Sequence, residues 1–364
     1  MVAAANPPIA LAAGAFLRCD GSFFDTLDVD LTLGYRQLDS VYMNERSDNV
    51  SQPAGIAATE PSRALWLYAA LALVGSLVTG LLLVLDPREL AGEPLWLKPT
   101  KFFLSSAIAA LTIDWVVRRS GLRSRRLEAC RAIIAWGFGL EMLIICGQAA
   151  RGVRSHFNLS TPIDAGLFTV MGLVITGVVV AMAVAVVTAS GGASRLSRVE
   201  RNAARWGIGI FVAAAFLGNL MVRATPSQAA RALETGGPGL RGSHFVGSEE
   251  GLTRTMPATG WSRDSGDLRV PHFVGMHAMQ ALLLLALLLR KLGMAMDDSR
   301  TAWRMTATGV GLGLLWALTL AQALAGRSFL DPGPWWLGLL LVMGGLVGTV
   351  VSLLMAPRRK VEAA

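Results

Sequence analysis

The chain has 364 residues, of which 53% are hydrophobic and 16% charged, with a net charge of +8 and a mean hydropathy of +0.50. That balance excludes a soluble domain with a water-facing polar surface. Most of the positive charge sits in short loops between apolar runs, where it sets topology and holds anionic lipid heads, so nucleic acid is not an expected partner.

The first 60 residues differ from the rest. An apolar stretch at Ile9–Leu17 has no positive residues before it, so the charged start of a secretory signal is missing, and Cys19 has no lipidation context. The polar, aperiodic segment that follows predicts a disordered cytoplasmic tail over residues 1–62, with Met43 as an alternative start. From residue 63 to 357 the pattern is an all-α, polytopic membrane helix bundle. Continuous apolar runs long enough to cross about 30 Å of hydrocarbon occur at Ala64–Leu85, Lys101–Val117, Ala132–Ala150, Ala165–Ala189, Trp206–Val222, His272–Leu289, Met305–Ala325 and Trp335–Ala356. Runs without in/out alternation argue against a β-barrel. The three cysteines, Cys19, Cys130 and Cys146, are not placed as a disulfide framework.

Arginine placement predicts the orientation. Arg118, Arg119, Arg123, Arg125, Arg126 and Arg131 follow the second span, and Arg195, Arg198, Arg201 and Arg205 follow the fourth. Arg290, Lys291, Arg300 and Arg304 follow the sixth, and Arg358, Arg359 and Lys360 lie in the tail 358–364. All these segments are expected in the cytoplasm, with both termini on that side. The long segment Arg223–Val270, rich in glycine, is then extracytoplasmic and is read as a lid or partial plug.

With this topology the polar intramembrane residues gather on one side. Lys98, Lys101, Gln148, Asn219, His277 and Gln280 fall in or beside the outer leaflet, and Arg151, Arg154, His156, Asn158, His244 and Arg269 fall in outer loops. Asp114 is the main inner-side exception, expected to form a helix-surface ion pair with Arg118. An outward-facing polar cavity follows, in which Lys98, Lys101, Gln148, Arg151, Arg154, Asn158, Asn219, Arg269 and Gln280 would bind an anionic or lipid-soluble substrate. The bland alternative for each basic residue is snorkelling to lipid phosphate.

Glu141 lies in the middle of the apolar run AIIAWGFGLEMLIICGQAA, where an ionised carboxylate costs several kcal/mol and a neutral one, or one paired with Lys101 or His277, is expected. It is a candidate proton carrier or general acid–base, against the bland reading of an interhelical hydrogen bond. His272 and His277 open the sixth span, with Pro271 suited to the first helical position. As i, i+5 residues of a regular helix they stand about 140° and roughly 7.5 Å apart, so they do not chelate by themselves. Both are candidate catalytic residues. A transition metal such as Zn or Cu would need further ligands, with His156, His244, Asp267 and Asp164 as candidates, and the set His156, His244, His272 and His277 is the one expected; haem ligation by His277 and another outer histidine ranks lower. His156, His244 and His272 are each followed by phenylalanine, and HFVG occurs at 244–247 and 272–275.

The segments LKPTKFFLS (97–105), RGVRSHFN (151–158) and GDLRVPHFVGMHAMQ (266–280) together resemble an uncharacterised family of multi-pass bacterial membrane proteins. The resemblance spans roughly Leu95–Gln280 and implies a bacterial inner (cytoplasmic) membrane, with no activity attached. The expected partners are the bilayer and a small-molecule or lipid ligand. The leading function is a membrane-embedded enzyme, its alternatives a proton-coupled transporter or ion pathway and, lower, a haem protein; oligomeric state is not legible.

Overall fold

The computed structural model describes residues 60–358 apart from 238, 249–253, 257, 258, 332 and 357. The expectations for residues 1–59, Met43 and Cys19 included, and for residues 359–364 lie outside the described residues. Among the described residues eight helices are long and apolar enough to cross a membrane, and they overlap the eight runs legible in the sequence.

The helices are α1 (Arg63–Leu85), α2 (Leu97–Ser120), α3 (Arg125–Ala150), α4 (Pro162–Ala189) and α5 (Arg198–Met221), followed by a short α6 (Pro226–Thr235). The sixth span is divided into α7 (Arg269–Met276) and α8 (Ala278–Lys291), and α9 (Ser299–Leu324) and α10 (Trp336–Leu354) complete the bundle. Two antiparallel two-residue ladders lie between them: β1 (Glu89–Leu90) with β2 (Glu93–Pro94), and β3 (Phe245–Val246) with β4 (Gly266–Asp267). Side chains cap the helix starts. Ser124, Thr161 and Asp298 accept backbone N–H groups of α3, α4 and α9, and Ser197 and Glu200 form a reciprocal capping box on α5.

α1 to α4 pack as one four-helix group, and α5, α7, α8, α9 and α10 as a second, with α4 against α5 joining them. Small residues let the backbones approach, as is common between membrane helices. A methyl group on Gly207 of α5 would lie 2.5 Å from the Cα of Met279 on α8. α10 is the least embedded span, with 6% of its most apolar window buried. Large apolar side chains such as Leu77, Val84, Leu143 and Leu173 stand exposed on the outer surface of the bundle, as a lipid-facing exterior requires.

The arginine-rich loops meet at one end. Arg195 N–H donates to Ser120 O (2.9 Å) and Val199 N–H to Met296 O (3.1 Å). Asp114 is buried here, which corrects the expected surface pair. It accepts the Ser62 N–H (3.0 Å) and the Trp66 indole N–H (2.8 Å) and pairs with Arg118 (3.0 Å) and Arg131 (3.2 Å). Nearby, fully buried Glu200 pairs with Arg119 (3.2 Å) and Arg290 (2.8 Å), tying α2, α5 and α8 together. Cys130 and Cys146 are free thiols.

Glu200→Ala leaves two guanidinium groups facing an apolar void, and we expect a loss of ~2 kcal/mol, the cost of breaking a buried pair reduced for the partial exposure of both arginines. Thermal unfolding in detergent checks this, with Glu128→Ala on the exposed rim expected to shift the midpoint by much less.

Candidate functional site

The opposite end carries the histidines. The β1–β2 hairpin turns through Ala91 and Gly92, at φ 57° and 76°, and delivers the chain into α2 four residues earlier than the apolar pattern implied. Lys98 therefore sits inside the first turn of α2. Its Nζ lies 3.0 Å from His156 Nδ1 and 2.9 Å from Ser155 Oγ. An ammonium only donates, so while Lys98 is charged His156 holds its lone pair on Nδ1 and its hydrogen on Nε2. Burial, then the Lys98 charge, and then His244 and His272 hold the His156 imidazole well below its ordinary pKa.

Aromatic rings wall this histidine. Phe102, Phe157 and Phe168 lie with ring centroids 6.1, 6.2 and 6.0 Å away, and Phe157 also meets His244 at 5.1 Å. Phe157 is buried at φ 64°, a left-handed conformation that a bulky side chain adopts only where its surroundings impose it. Those surroundings are visible. Arg241 N–H donates to Phe157 O (2.8 Å), Leu159 N–H donates to Gly239 O (2.8 Å), and Gly242, at φ +130°, lies against the Phe157 ring. Neither Ser155 nor Phe157 was singled out from sequence, although the repeated His-Phe pairs carried the signal.

Deeper in α3, Glu141 is 6% exposed, and one carboxylate oxygen has no hydrogen-bond partner. Its charged neighbour is Lys98, not the Lys101 or His277 expected from sequence; Lys101 donates to Thr259 O (3.3 Å). Tyr68 lies within electrostatic reach of Glu141 and donates to Ser106 Oγ (2.5 Å). Gln148, seven residues on, serves another purpose. It donates to Asp164 (2.8 Å), and Arg151 bonds both Gln148 (2.5 Å) and Asp164 (2.9 Å), so the pair braces the start of α4.

His272 Nδ1 lies 2.8 Å from the carbonyl oxygen of Ala214 on α5. A carbonyl only accepts, so the hydrogen is on Nδ1 and the lone pair on Nε2. His244 acts electrostatically on both His156 and His272, and His277 acts on His272. His277 itself ends α7 and opens α8 at φ −100°, ψ 1°, with Phe273 at 4.5 Å. This break replaces the regular-helix geometry expected for the two histidines, and Pro271 is the third residue of α7, not the first.

The remaining expected residues separate into groups. Arg269 pairs with Asp267 (2.9 Å) and Glu93 (3.2 Å), donates to Gly260 O and lies over Phe245, so it clamps loops together. Asn158 is buried and accepts the Ser160 N–H (3.1 Å). Asn219 stands exposed on α5 and donates to Phe216 O (3.2 Å). Gln280 is buried, with its Oε1 unpartnered. Arg154 is half-buried, and its charge acts on Lys98. Lys98, His156, His244, His272, Arg154 and Glu141 are thus brought together. Among the described residues no three of His, Cys, Asp and Glu form a group that could hold a metal ion, so the four-histidine ligand set lacks geometric support.

The folded His156 resists a proton that the unfolded chain accepts below pH 6.5, so its contribution to stability is complete above that value and falls as the pH drops beneath it. We expect His156→Gln to flatten the acid side of the thermal-stability profile relative to the wild type. Gly242→Ala would set a methyl 2.5 Å from Met221 O and 2.6 Å from the Phe157 ring. It is expected to disturb His156, read as a changed histidine ring resonance by NMR, while helix content by circular dichroism stays unchanged. Comparison with protein-family models, curated proteins and solved structures finds no match to this chain.

Proposed function

We propose that this integral membrane protein is an enzyme of the bacterial inner membrane, with its histidine end outside and its arginine-rich end and termini in the cytoplasm. On this reading it runs acid–base chemistry on an anionic or lipid-soluble substrate, and the segment 223–270 serves as its lid. The observation that carries the reading is the 3.0 Å approach of Lys98 Nζ to His156 Nδ1 at an aromatic-walled site. Such a contact between an amine and a neutral imidazole is a proton-transfer pair, and one-sided arginine loops favour this orientation.

The transfer is balanced. The Lys98 ammonium gives its proton to His156 Nδ1 as the Nε2 hydrogen passes to the substrate. Lysine becomes an amine, the imidazole stays neutral with its hydrogen moved across the ring, and the substrate gains one proton. The pair is reset when Nε2 takes a proton from solvent and the Nδ1 hydrogen returns to the Lys98 amine, which restores both starting states, and Glu141, the carboxyl beyond Lys98, is the charge that steadies the ammonium. The depth of Glu141 within α3 also favours a second reading, proton-coupled transport, in which the same groups carry protons inward.

Mass spectrometry of lipid extracts and outer-face washes from cells expressing the wild-type chain, Lys98→Met, His156→Gln or Glu141→Gln tests the enzyme. A product present in the wild type is expected to fall about 10²-fold in the Lys98 and His156 variants. Identical extracts would overturn it. Proton flux into vesicles that requires Glu141, without a product, would replace it by the transporter.

A further inference from the structure

Beside the His156 site lies a cleft of 290 Å³ between α6 and the loop that leads into α4. Arg154, Arg231, Thr225, Ser227 and Ser243 line it, and no carboxylate is among its described lining residues. Thr225 caps α6, so the positive end of that ten-residue helix opens onto the cleft. Thr225 and Ser227 bond each other (3.0 Å) and Ser243 donates to Phe245 O (3.4 Å), so it is the two guanidinium groups and the helix start in one concave site that form a receptor for an anion.

The cleft is continuous with the chemistry next to it. Arg154 is two residues before His156 and its charge reaches Lys98, while Ser243 directly precedes His244. Leu240, another lining residue, is bridged to Asn158 on the far side of Phe157. The segments that wall the cleft therefore also hold the histidines, and Arg154, which lines it, stands within electrostatic reach of Lys98.

We propose that this cleft binds a phosphate- or carboxylate-bearing group and so presents the substrate body to the Lys98–His156 pair. The presentation rests on the acid–base reading above, whereas binding does not require it. Both a soluble anion and the headgroup of an anionic lipid carry this chemistry.

The test uses the full chain. Inorganic phosphate is titrated by calorimetry into detergent-solubilised protein, and retention of phosphatidylglycerol against phosphatidylcholine is measured by native mass spectrometry. Arg231 is exposed, so Arg231→Gln leaves the fold intact. It is expected to weaken binding at least tenfold, while Arg263→Gln, exposed and outside the cleft, matches the wild type. Loss of phosphate binding identifies a soluble anion, and loss of phosphatidylglycerol alone identifies a lipid headgroup; either supports the proposal. Equal binding by both variants in both arms, or no binding by the wild type in either arm, overturns it. His156→Gln is expected to bind normally, so failure of the acid–base reading is seen separately as unchanged product with the cleft still occupied.

Discussion

A charge held between packed helices costs several kcal/mol unless a partner meets it, and the two ends of this bundle answer that demand in opposite ways. At the arginine-rich end the buried carboxylates are saturated. Asp114 and Glu200 each receive two guanidinium groups and backbone or indole donors from other segments. Such a network fixes helix ends and has little capacity left to bind or transfer anything. At the histidine end the matching is incomplete. Glu141 keeps a carboxylate oxygen without a partner, Gln280 does the same with its amide oxygen, and Lys98 leans on a neutral imidazole. The buried carboxylates are thus paired with guanidinium groups at one end, whereas Glu141 keeps an oxygen without a partner at the other.

The histidine end is assembled by loops that are bonded to one another. Arg269 joins the β1–β2 hairpin to the segment before α7 through Glu93 and Asp267. The segment 239–243 grips the loop after α3 on both sides of Phe157. Strain at Phe157 is held in place by these contacts, a pattern in which local conformational cost is sustained by surrounding structure. A long glycine-rich connection thereby becomes part of the wall around His156.

The spans were legible because membrane insertion acts on composition over about 20 residues, and that signal is local. The histidines and Lys98 were legible by residue type and sidedness. Their partners were not, since the decisive contacts join distant segments: Lys98 with His156, Arg269 with Glu93, His272 with Ala214, Glu200 with Arg290. Gln148 was expected to bind substrate, yet it donates to Asp164. It also supposed an unbroken helix through His272 and His277, whereas the backbone departs from helical geometry at His277. Of the arginines expected to bind substrate, Arg151 and Arg269 pair with carboxylates and Arg154 lines a cleft.

The hydrogen bond from His272 to the Ala214 carbonyl has a further consequence when set against the Lys98–His156 contact. One ring carries its hydrogen on Nδ1, and while Lys98 is charged the other carries it on Nε2. The imidazoles that His244 couples electrostatically are therefore not equivalent. One offers a donor where the other offers an acceptor, so the row has an electrical sense of direction before any ligand arrives. Reversing it requires both rings to exchange tautomers against their anchors, so the asymmetry is built into the packing of the two helices' ends.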